Sequence, residues 1–439
     1  MDNELLYYIW LNLNCKPDSS TFVDLLRAFK TPKGIFDASD RKIEKVLSSR
    51  NSDRERILLR DLDAAKSVLE FCEQKQVGIL TYGDEKYPNA LREIAHPPVL
   101  LYYRGVLPDF NKGCYISIVG TRSMSDYGKK NAFRVGRDLA KAGATIVSGM
   151  ALGIDAVATA GALHAEKPTV AVLGCGINIC YPKEHLTLAR QIVKNGCILT
   201  EYPPSFSPSR YTFPQRNRII SGLSQATVVV EGSEKSGALI TARCAKEQGR
   251  IVYALPGNVD NKNSEGPMLL IRNGARAFTS ADDIIRDLEA QNMGVLNPFV
   301  LTPNEKYPVN EVLDSLSISY IKIGRHRAYD PEAPLASDAC PPAIHEDPSY
   351  NQPSAQAPSA QATQQTATLQ ELAAEQTIGV DKDCIRLYQR IPINGDISID
   401  ELVDEYFTDA RIIMKCILKL EMAKLVKILP GERVSRNTH

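Results

Sequence analysis

The chain has 439 residues, of which 44% are hydrophobic and 24% charged, and its 52 basic side chains balance its 52 acidic ones. This length exceeds a single hydrophobic core, so we expect several domains of ordinary globular composition. No apolar run reaches the roughly 20 residues of a membrane span, and the ten cysteines form no CxxC pair that would indicate a disulfide scaffold or a zinc site. Because residues 1–4 are acidic where a signal peptide would be basic, we expect a cytoplasmic protein without membrane contact or bound metal.

Residues 1–75 are predicted to be helical. Apolar residues recur at helical spacing from Leu5 to Leu13 and again from Phe22 to Phe29, and Ser39-Asp40 is typical of a helix start. Short helices with small turns between them are typical of a helix-hairpin-helix or SAM-like bundle. Such a bundle can contact a DNA backbone or a protein partner, although simple packing is its commoner role.

From Tyr115 onward, strands, glycine turns and helices alternate. Two earlier strand-like runs, Val77 to Leu80 and Pro97 to Gly105, are expected to flank or extend the same sheet. The alternation of helices with apolar strands predicts an α/β fold, with a doubly wound and mostly parallel sheet. Ligands bind beyond the carboxyl ends of the strands in such sheets. The residues expected at those ends are Arg122, Ser148, Gly149, Gly174, Gly176, Glu231 and Ser236.

A proline-rich stretch, Glu201 to Pro208, precedes two closely spaced arginines, Arg216 and Arg218, with Asn217 between them. Proline fixes its own φ, removes a donor and moves its neighbour out of the helical region. We therefore predict a long, stiff loop that delivers both arginines to one place, and such loops inside compact domains are usually functional. The alternative is that the arginines only tie the loop down through ion pairs.

Beyond residue 290 the pattern fades. Residues 341–370 contain no lysine or arginine and consist mainly of Pro, Ser, Ala, Gln and Thr, which predicts a flexible linker over roughly 326–376. Three helical segments and a hairpin from Val426 to Val434 then predict a winged helix. A basic row on its third helix could follow a phosphate backbone, but its acidic second helix fits a protein contact equally well. The predicted domains are a helical one at 1–75, the α/β one at 76–290, a largely flexible linker at 291–376 and a winged-helix-like one at 377–439.

The glycine turns of the α/β region favour a phosphate-bearing ligand. Gly120-Thr121-Arg122 and Ser148-Gly149 place backbone N–H groups at helix N-termini, which is a ready anion site. No GxGxxG follows the first strand and no GxxxxGK[ST] is present, so neither a dinucleotide enzyme nor an ATPase is predicted. Asp155 is expected to cap its helix rather than to act as a general base, and Ser236 to be a cap or a cap and phosphate ligand together.

A single-stranded polynucleotide is the ligand that suits this region best. Between Gly113 and Ala290 there are 21 basic and 15 acidic side chains, an excess that suits a polyanion. Guanidinium groups grip phosphates, and exposed aromatic rings stack on unpaired bases. For Phe213, next to Pro214, a core position is the better prediction. The interleaved aromatic residues are Tyr181, Phe206, Tyr211 and Phe213.

Together these residues resemble the DNA-processing protein A family (DprA, also called Smf). The motifs that carry the resemblance are Gly120-Thr121-Arg122 with Tyr127-Gly128, Ser148 to Asp155, Val172 to Gly176 with Tyr181-Pro182-Lys183, Glu201 to Pro204, Phe213 to Ser224, Val230-Glu231 with Ser236 to Ala242, and Pro256-Gly257.

The resemblance implies an extended Rossmann-like domain that binds single-stranded DNA without sequence preference and forms a homodimer. It further implies a role in protecting incoming DNA and loading the RecA recombinase in natural transformation, with no catalysis and no cofactor. On this basis the expected DNA-binding residues are Gly120, Thr121, Arg122, Ser148, Gly149, Gly174, Gly176, Lys183, Arg216, Asn217, Arg218, Ser236 and Gly237.

One departure from the family's pattern and one alternative function remain. A histidine expected soon after Asp155 is absent, with Ala156-Val157-Ala158 in its place, which puts a histidine role at that point in doubt. The alternative is an enzyme of a related Rossmann-like group that hydrolyses nucleotides, as phosphoribohydrolases do. Against it, Glu231 has no adjacent arginine to complete a compact catalytic signature.

Overall fold

The computed structural model describes residues 4–291, 296, 307–318, 387–388, 391, 396–398, 417, 420–421, 426–429 and 433–436. The chain divides into two compact units, residues 1–346 and residues 347–439. None of the helices in the described ranges is long and apolar enough to cross a membrane.

Six helices form the amino-terminal part of the first unit. They are α1 (Glu4–Asn14), α2 (Thr21–Phe29), α3 (Pro32–Phe36), α4 (Asp40–Val46), α5 (Arg54–Leu59) and α6 (Asp63–Gln74). The turn between α1 and α2 is held by the buried carboxylate of Asp53, which accepts hydrogen bonds from the Lys16 N–H at 3.1 Å and the Thr21 hydroxyl at 2.8 Å. The buried side chains of these helices, Trp10 and Leu25 among them, belong to the same hydrophobic core as one face of the sheet that follows.

Nine strands form one sheet in the order β1-β2-β6-β5-β4-β3-β7-β8-β9. They are β1 (Gly78–Thr81), β2 (Leu100–Gly105), β3 (Cys114–Val119), β4 (Ala144–Ser148), β5 (Thr169–Val172), β6 (Cys197–Thr200), β7 (Ala226–Val229), β8 (Ile251–Ala254) and β9 (Arg276–Ala277). Strands β3 to β9 pair in parallel, while β1 and β2 extend one edge in antiparallel pairs. The predicted mostly parallel sheet is confirmed, as is its extension by the two earlier strands.

Helices cover both faces of the sheet, which explains why its central strands are continuous apolar runs. Side chains of alternate strand residues belong to two separate cores, one with Ile116 and Ile146 and the other with Tyr115 and Val147. The helices of this region are α7 (Asn89–Arg92), α8 (Asp126–Lys141), α9 (Ile154–His164), α10 (Leu186–Asn195), α11 (Thr212–Gly222), α12 (Gly237–Glu247), α13 (Glu265–Arg272), α14 (Ala281–Ala290) and α15 (Val309–Ser315).

The direction in which the chain winds changes once within the parallel part of the sheet. From β3 it proceeds through β4 and β5 to β6 on one side, and then returns to β7, β8 and β9 on the other side. The switch point therefore lies between β3 and β7, whose pairing runs from Ile116 with Ala226 to Val119 with Val229. In doubly wound sheets the crevice at this point is where ligands bind.

The prediction of one long loop carrying Arg216 and Arg218 is wrong beyond Tyr211, because Thr212 to Gly222 form helix α11. Pro214 lies in the first turn, where a backbone N–H has no intrahelical partner, so the proline does not break the helix. Further along, Ile219 and Ile220 are fully or almost fully buried in the sheet core. The apolar face of this segment therefore outweighs the stiffness of its proline-rich approach.

The second unit is described mainly by three strands, β10 (Asp396–Ser398), β11 (Val426–Leu429) and β12 (Arg433–Arg436). They form an antiparallel sheet in the order β10-β12-β11. The predicted hairpin is confirmed, since Ile428 pairs with Val434. Most of the three helices of the predicted winged helix, and all of the linker predicted at 326–376, lie outside the described residues.

Candidate functional site

An open cleft with a volume of about 750 Å³ lies at the switch point, where β3 and β7 end. Its floor includes Val119, the last residue of β3, and one wall is the start of α12. A smaller pocket of about 40 Å³ shares Arg122 and Arg216 with the cleft and adds Gly149. The predicted site residues that line the larger cleft are Gly120, Thr121, Arg122, Arg216, Asn217, Ser236 and Gly237.

The glycine turns of the cleft and of the smaller pocket beside it are held close to their neighbours. A Cβ atom added to Gly120 would lie 2.6 Å from Ile154 Cγ1, and one added to Gly149 would lie 2.6 Å from the Arg216 guanidinium. The Thr121 N–H donates to the Glu231 carbonyl oxygen at 2.7 Å, which joins the turns that follow β3 and β7. Only glycine permits this spacing, so the backbone of the floor is fixed before any ligand arrives.

The amino terminus of α12 faces the cleft. Ser236 caps this 11-residue helix, because its hydroxyl accepts a hydrogen bond from the Ala238 N–H at 3.3 Å. The predicted capping role of Ser236 is thereby confirmed. Next to it, a Cβ atom added to Gly237 would meet nothing within 4 Å. The partial positive charge of a helix amino terminus is favourable for an anion, and the space beside Gly237 leaves room for one.

Two predicted arginines contribute to the cleft in different ways. Arg122 is half-buried, and its guanidinium lies 5.4 Å from the centre of the Phe213 ring, within the range of a cation–π contact. Arg216 is only 4% exposed and donates to the carbonyl oxygens of Gly149, at 2.9 Å, and Val172. Arg122 is therefore the predicted cation best placed to meet a ligand, while Arg216 mainly holds the ends of β4 and β5.

A buried carboxylate lies beside these arginines. Asp155 lines the cleft and accepts a hydrogen bond from the Gly149 N–H at 3.1 Å. Helix α9 has Gly153 at its amino-terminal cap position, so the expectation that Asp155 caps its own helix is wrong. Burial raises the pKa of Asp155, although the charges of Arg216 and Arg122 oppose that shift. The carboxylate is therefore easier to protonate than an exposed one.

Three cations that line the cleft were not among the predicted site residues. All three are exposed, and they come from separate segments of the chain. Two had a signal in the sequence, since Arg210 follows the proline-rich stretch by two residues and Lys235 lies in the turn before Ser236. No sequence pattern marked Lys262, because its place beside the cleft depends on how the chain folds after β8. These cations are Arg210, Lys235 and Lys262.

Two aromatic rings form part of the cleft wall. Tyr181 and Phe213 both line it, and their ring centres are 5.3 Å apart. Phe213 is half-buried rather than a core residue, so the core position predicted for it is wrong. Its ring lies 5.4 Å from the Arg122 guanidinium and also approaches Gly174, where an added Cβ atom would lie 2.9 Å from Phe213 Cδ1.

Five of the predicted site residues line neither the cleft nor the smaller pocket. Ser148 is fully buried and its hydroxyl donates to the Ile118 carbonyl oxygen at 2.7 Å. Gly174 and Gly176 permit close packing, since an added Cβ atom at Gly176 would lie 2.6 Å from the Ser205 nitrogen. Lys183 is exposed on a short 3-10 helix, outside the cleft lining.

Arg218, the fifth, is 8% exposed and pairs with the carboxylate of Glu201, which is 4% exposed. The same guanidinium nitrogen donates to the Pro17 carbonyl oxygen at 2.7 Å, which ties α11 to the turn between α1 and α2. Arg216 and Arg218 thus point to different places, contrary to the prediction. The alternative considered for the pair, an ion pair that ties the chain down, describes Arg218.

Glu231, the glutamate of the alternative enzyme function, is not among the residues that line the cleft. Its carboxylate accepts hydrogen bonds from the Ser125 N–H at 2.9 Å and from the Ser125 hydroxyl, and the residue is 1% exposed. An added Cβ atom at Gly128 would lie 2.1 Å from one of its oxygens. Glu231 therefore fixes the start of α8.

The fold and the cleft define a doubly wound α/β protein whose switch-point cleft combines several cations with the amino terminus of α12. Comparison with known proteins narrows this class. Residues 78–289 match the family model described as DNA recombination-mediator protein A. The DNA processing protein DprA of Bacillus subtilis is 40% identical over 232 residues, which cover 53% of this chain and 78% of that protein. The chain belongs to the DNA-processing protein A family.

Further relatives agree with this assignment. Protein Smf of Synechocystis is 41% identical over 253 residues, which cover 57% of this chain and 61% of that protein. The X-ray structure of DprA from Streptococcus pneumoniae superimposes with a TM-score of 0.57 at 32% identity, covering 64% of this chain and 97% of that one. This solved structure of a relative therefore shares the α/β fold of the present chain over most of its own length.

Proposed function

We propose that this chain binds single-stranded DNA without sequence preference along the cleft at the switch point, and that it does so as a DNA-processing protein rather than as an enzyme. The observation that carries the proposal is the cleft itself. It combines a helix amino terminus, rigid glycine turns, cations from several segments and two aromatic rings in one open space of about 750 Å³.

The chemistry of the cleft favours a strand over a single nucleotide. Its cations are spread over separate segments, with Arg122 after β3, Arg210 before α11 and Lys262 beyond β8. Spread charges suit successive phosphates of one backbone. Unpaired bases can stack on rings such as Phe213, whereas the bases of a duplex already stack on one another. A sequence-tolerant, salt-sensitive single-strand site is the result.

The finer parts of the proposal rest on family membership. We propose that the chain acts as a homodimer in the cytoplasm, that it protects incoming DNA, and that it helps load the RecA recombinase onto the strand. The support for a recombination role is the description of the matched family model.

The direct test is a fluorescence-anisotropy titration of a labelled single strand and of the matching duplex, with the mass of the complex measured alongside. We expect tighter binding of the single strand, similar affinities for strands of different sequence, and two chains per complex. Equal affinity for duplex and single strand would contradict the proposed preference.

The alternative, a nucleotide hydrolase of the phosphoribohydrolase type, predicts a different result. It requires a carboxylate at the reacting bond, and the Glu231 carboxylate is instead bound to the Ser125 hydroxyl and N–H. We expect no free base to be released from nucleoside monophosphates. Release that is lost in a Glu231→Gln variant would favour the enzyme.

Substitution of Gly237 offers a matched pair of variants. Gly237→Ala adds a methyl group where nothing lies within 4 Å, so single-strand affinity should change little. Gly237→Asp should leave the fold intact, because a carboxylate is favourable in the first turn of a helix, but its charge would repel phosphates. We expect at least a roughly tenfold loss of affinity at low salt, in line with the Coulomb energy of nearby charges. Equal affinities of the two variants would place the strand elsewhere.

The affinity should also depend on the charge of Asp155. Its pKa is raised mainly by burial, so the carboxylate takes up a proton at a higher pH than an exposed aspartate. A phosphate in the cleft favours the protonated form further, because two negative charges repel. Affinity should therefore rise as the pH falls through the pKa of Asp155, and Asp155→Asn should bind more tightly at neutral pH with a flatter pH profile. Titrations between about pH 4.5 and 8 test this, and an unchanged profile in Asp155→Asn would contradict it.

A further inference from the structure

An exposed aromatic ring lies beside the cleft without lining it. Phe206 is 42% exposed, in the connection from β6 to α11. Four residues later the same connection reaches Arg210, which does line the cleft. An isolated exposed phenylalanine needs no explanation. What distinguishes Phe206 is how the chain around it is fixed.

The turn that carries Phe206 is held by hydrogen bonds on both sides. The Phe206 N–H donates to the Pro203 carbonyl oxygen at 3.1 Å, and the Phe206 carbonyl oxygen accepts from the Gly176 N–H at 2.8 Å. The Asn178 amide oxygen accepts from the Ser205 N–H at 2.7 Å. Ser205 has a φ of 65°, a conformation unusual for serine. The turn therefore has one well-defined shape, which holds the Phe206 side chain in a fixed position at the surface.

One face of the Phe206 ring has a rigid support. It stacks on Tyr202 with ring centres 4.9 Å apart and an angle of 25° between the planes. Tyr202 is 3% exposed, and its hydroxyl donates to the Gln215 amide oxygen at 3.0 Å. A flat ring backed by a buried ring is pre-organised for stacking, since little side-chain freedom is lost when a third ring joins it.

The position of the ring continues the line of the cleft. Gly176 follows β5 and Tyr202 follows β6, so Phe206 lies at the same carboxyl edge of the sheet as the turns after β3 and β4. Neighbouring strands are about 4.8 Å apart, which places the ring a few strand widths along that edge from the turn after β3. A polynucleotide whose phosphates occupy the cleft can reach this ring with a neighbouring base.

We propose that Phe206 is a base-stacking residue for the bound single strand, outside the phosphate cleft, with Tyr202 as its fixed support. This rests on the proposed function and extends it, because the cleft neutralises phosphates while Phe206 contacts a base. The other role open to Phe206, an apolar cover for Tyr202, requires no flat ring and makes a different prediction.

The test uses the full chain with Phe206→Ala, Phe206→Leu and Phe206→Trp, and a single-stranded oligonucleotide alongside an abasic strand of equal length and charge. Stacking of one base on an aromatic ring increases affinity by about five- to 150-fold. We expect Phe206→Ala and Phe206→Leu to lose affinity within that range on the normal strand, with an unchanged salt dependence, and to bind the abasic strand like the wild type. Phe206→Trp should retain affinity. The strand should quench the fluorescence of the introduced indole, while the signal of the fully buried Trp10 should stay constant.

Each outcome decides the matter. If Phe206→Leu binds like the wild type, or if the loss is the same on the abasic strand, Phe206 is only a cover and the inference is overturned. If the wild type binds the strand and Arg122→Ala weakens it while the Phe206 variants do not, the inference fails and the proposed function stands. A wild type that does not bind the strand overturns both. Thermal midpoints of all variants, measured in the same buffer, show whether any loss reflects unfolding instead.

Discussion

Replacing Arg122 by alanine should weaken single-strand binding by roughly 10- to 150-fold, whatever the sequence of the strand. Hydrogen bonds from a charged donor are each worth about 1.5–3 kcal/mol, and Arg122 is the predicted arginine that lines the cleft without being buried. Because one phosphate contact is lost, the slope of log affinity against log salt should become less steep by about 0.7. Anisotropy titrations at several salt concentrations measure both effects.

Two further variants give this prediction its controls. Arg122→Lys keeps the charge but loses the planar group that lies over Phe213, so its affinity should fall between the wild type and Arg122→Ala. Arg27→Ala removes an arginine whose side chain is 75% exposed on α2, and we expect it to bind like the wild type. If Arg27→Ala and Arg122→Ala weaken binding equally, the loss reflects overall charge and the cleft is not the site.

Replacing Arg218 by methionine should destabilise the fold by about 3–5 kcal/mol, the usual cost of removing one partner of a buried ion pair. The substitution leaves the Glu201 carboxylate without its cation at a position that is 4% exposed. Burial already raises the pKa of Glu201 in the intact pair. Removal of Arg218 takes away the charge that opposes this shift, so the pKa of Glu201 should rise further in the variant. The loss of stability should therefore shrink as the pH falls through the pKa of Glu201 in the variant, because a protonated Glu201 has no charge to leave uncompensated.

The double variant Arg218→Met with Glu201→Leu is the matched control. Replacing both partners of a buried pair by apolar groups is often close to neutral, so much of the lost stability should return. Urea denaturation followed by circular dichroism measures the free energy of unfolding of each variant. If Arg218→Met is as stable as the wild type but binds a single strand as weakly as Arg122→Ala, then Arg218 contacts the strand as first expected and its assignment to the fold is wrong.

Much of the fold could be predicted from local patterns. The alternation of strands and helices from Tyr115 onward follows from short apolar runs in the sequence, and the runs that form β3 and β7 are examples. Helix α11 could not be recognised from local sequence, because the prolines before it favour an irregular conformation. Its formation depends on the burial of Ile219 and Ile220 in a core that local sequence does not reveal.

The turns of the site could be predicted from the sequence. The directions in which its side chains point could not. Gly120, Thr121 and Arg122 follow a strand directly, so their place at the carboxyl edge follows from topology. Arg216 and Arg218 differ by two positions, and a helix turns residues at that spacing to different sides. Once α11 is helical, one arginine reaches the cleft and the other reaches Glu201.

The most direct measurement is a photochemical crosslink between the chain and a single strand that carries 5-iododeoxyuridine, with the modified peptides identified by mass spectrometry. We expect crosslinks within the segments that line the cleft or adjoin it, residues 119–123, 206–217 and 233–241. Crosslinks confined to the six amino-terminal helices or to residues 377–439, with none in those three segments, would show that the strand binds elsewhere.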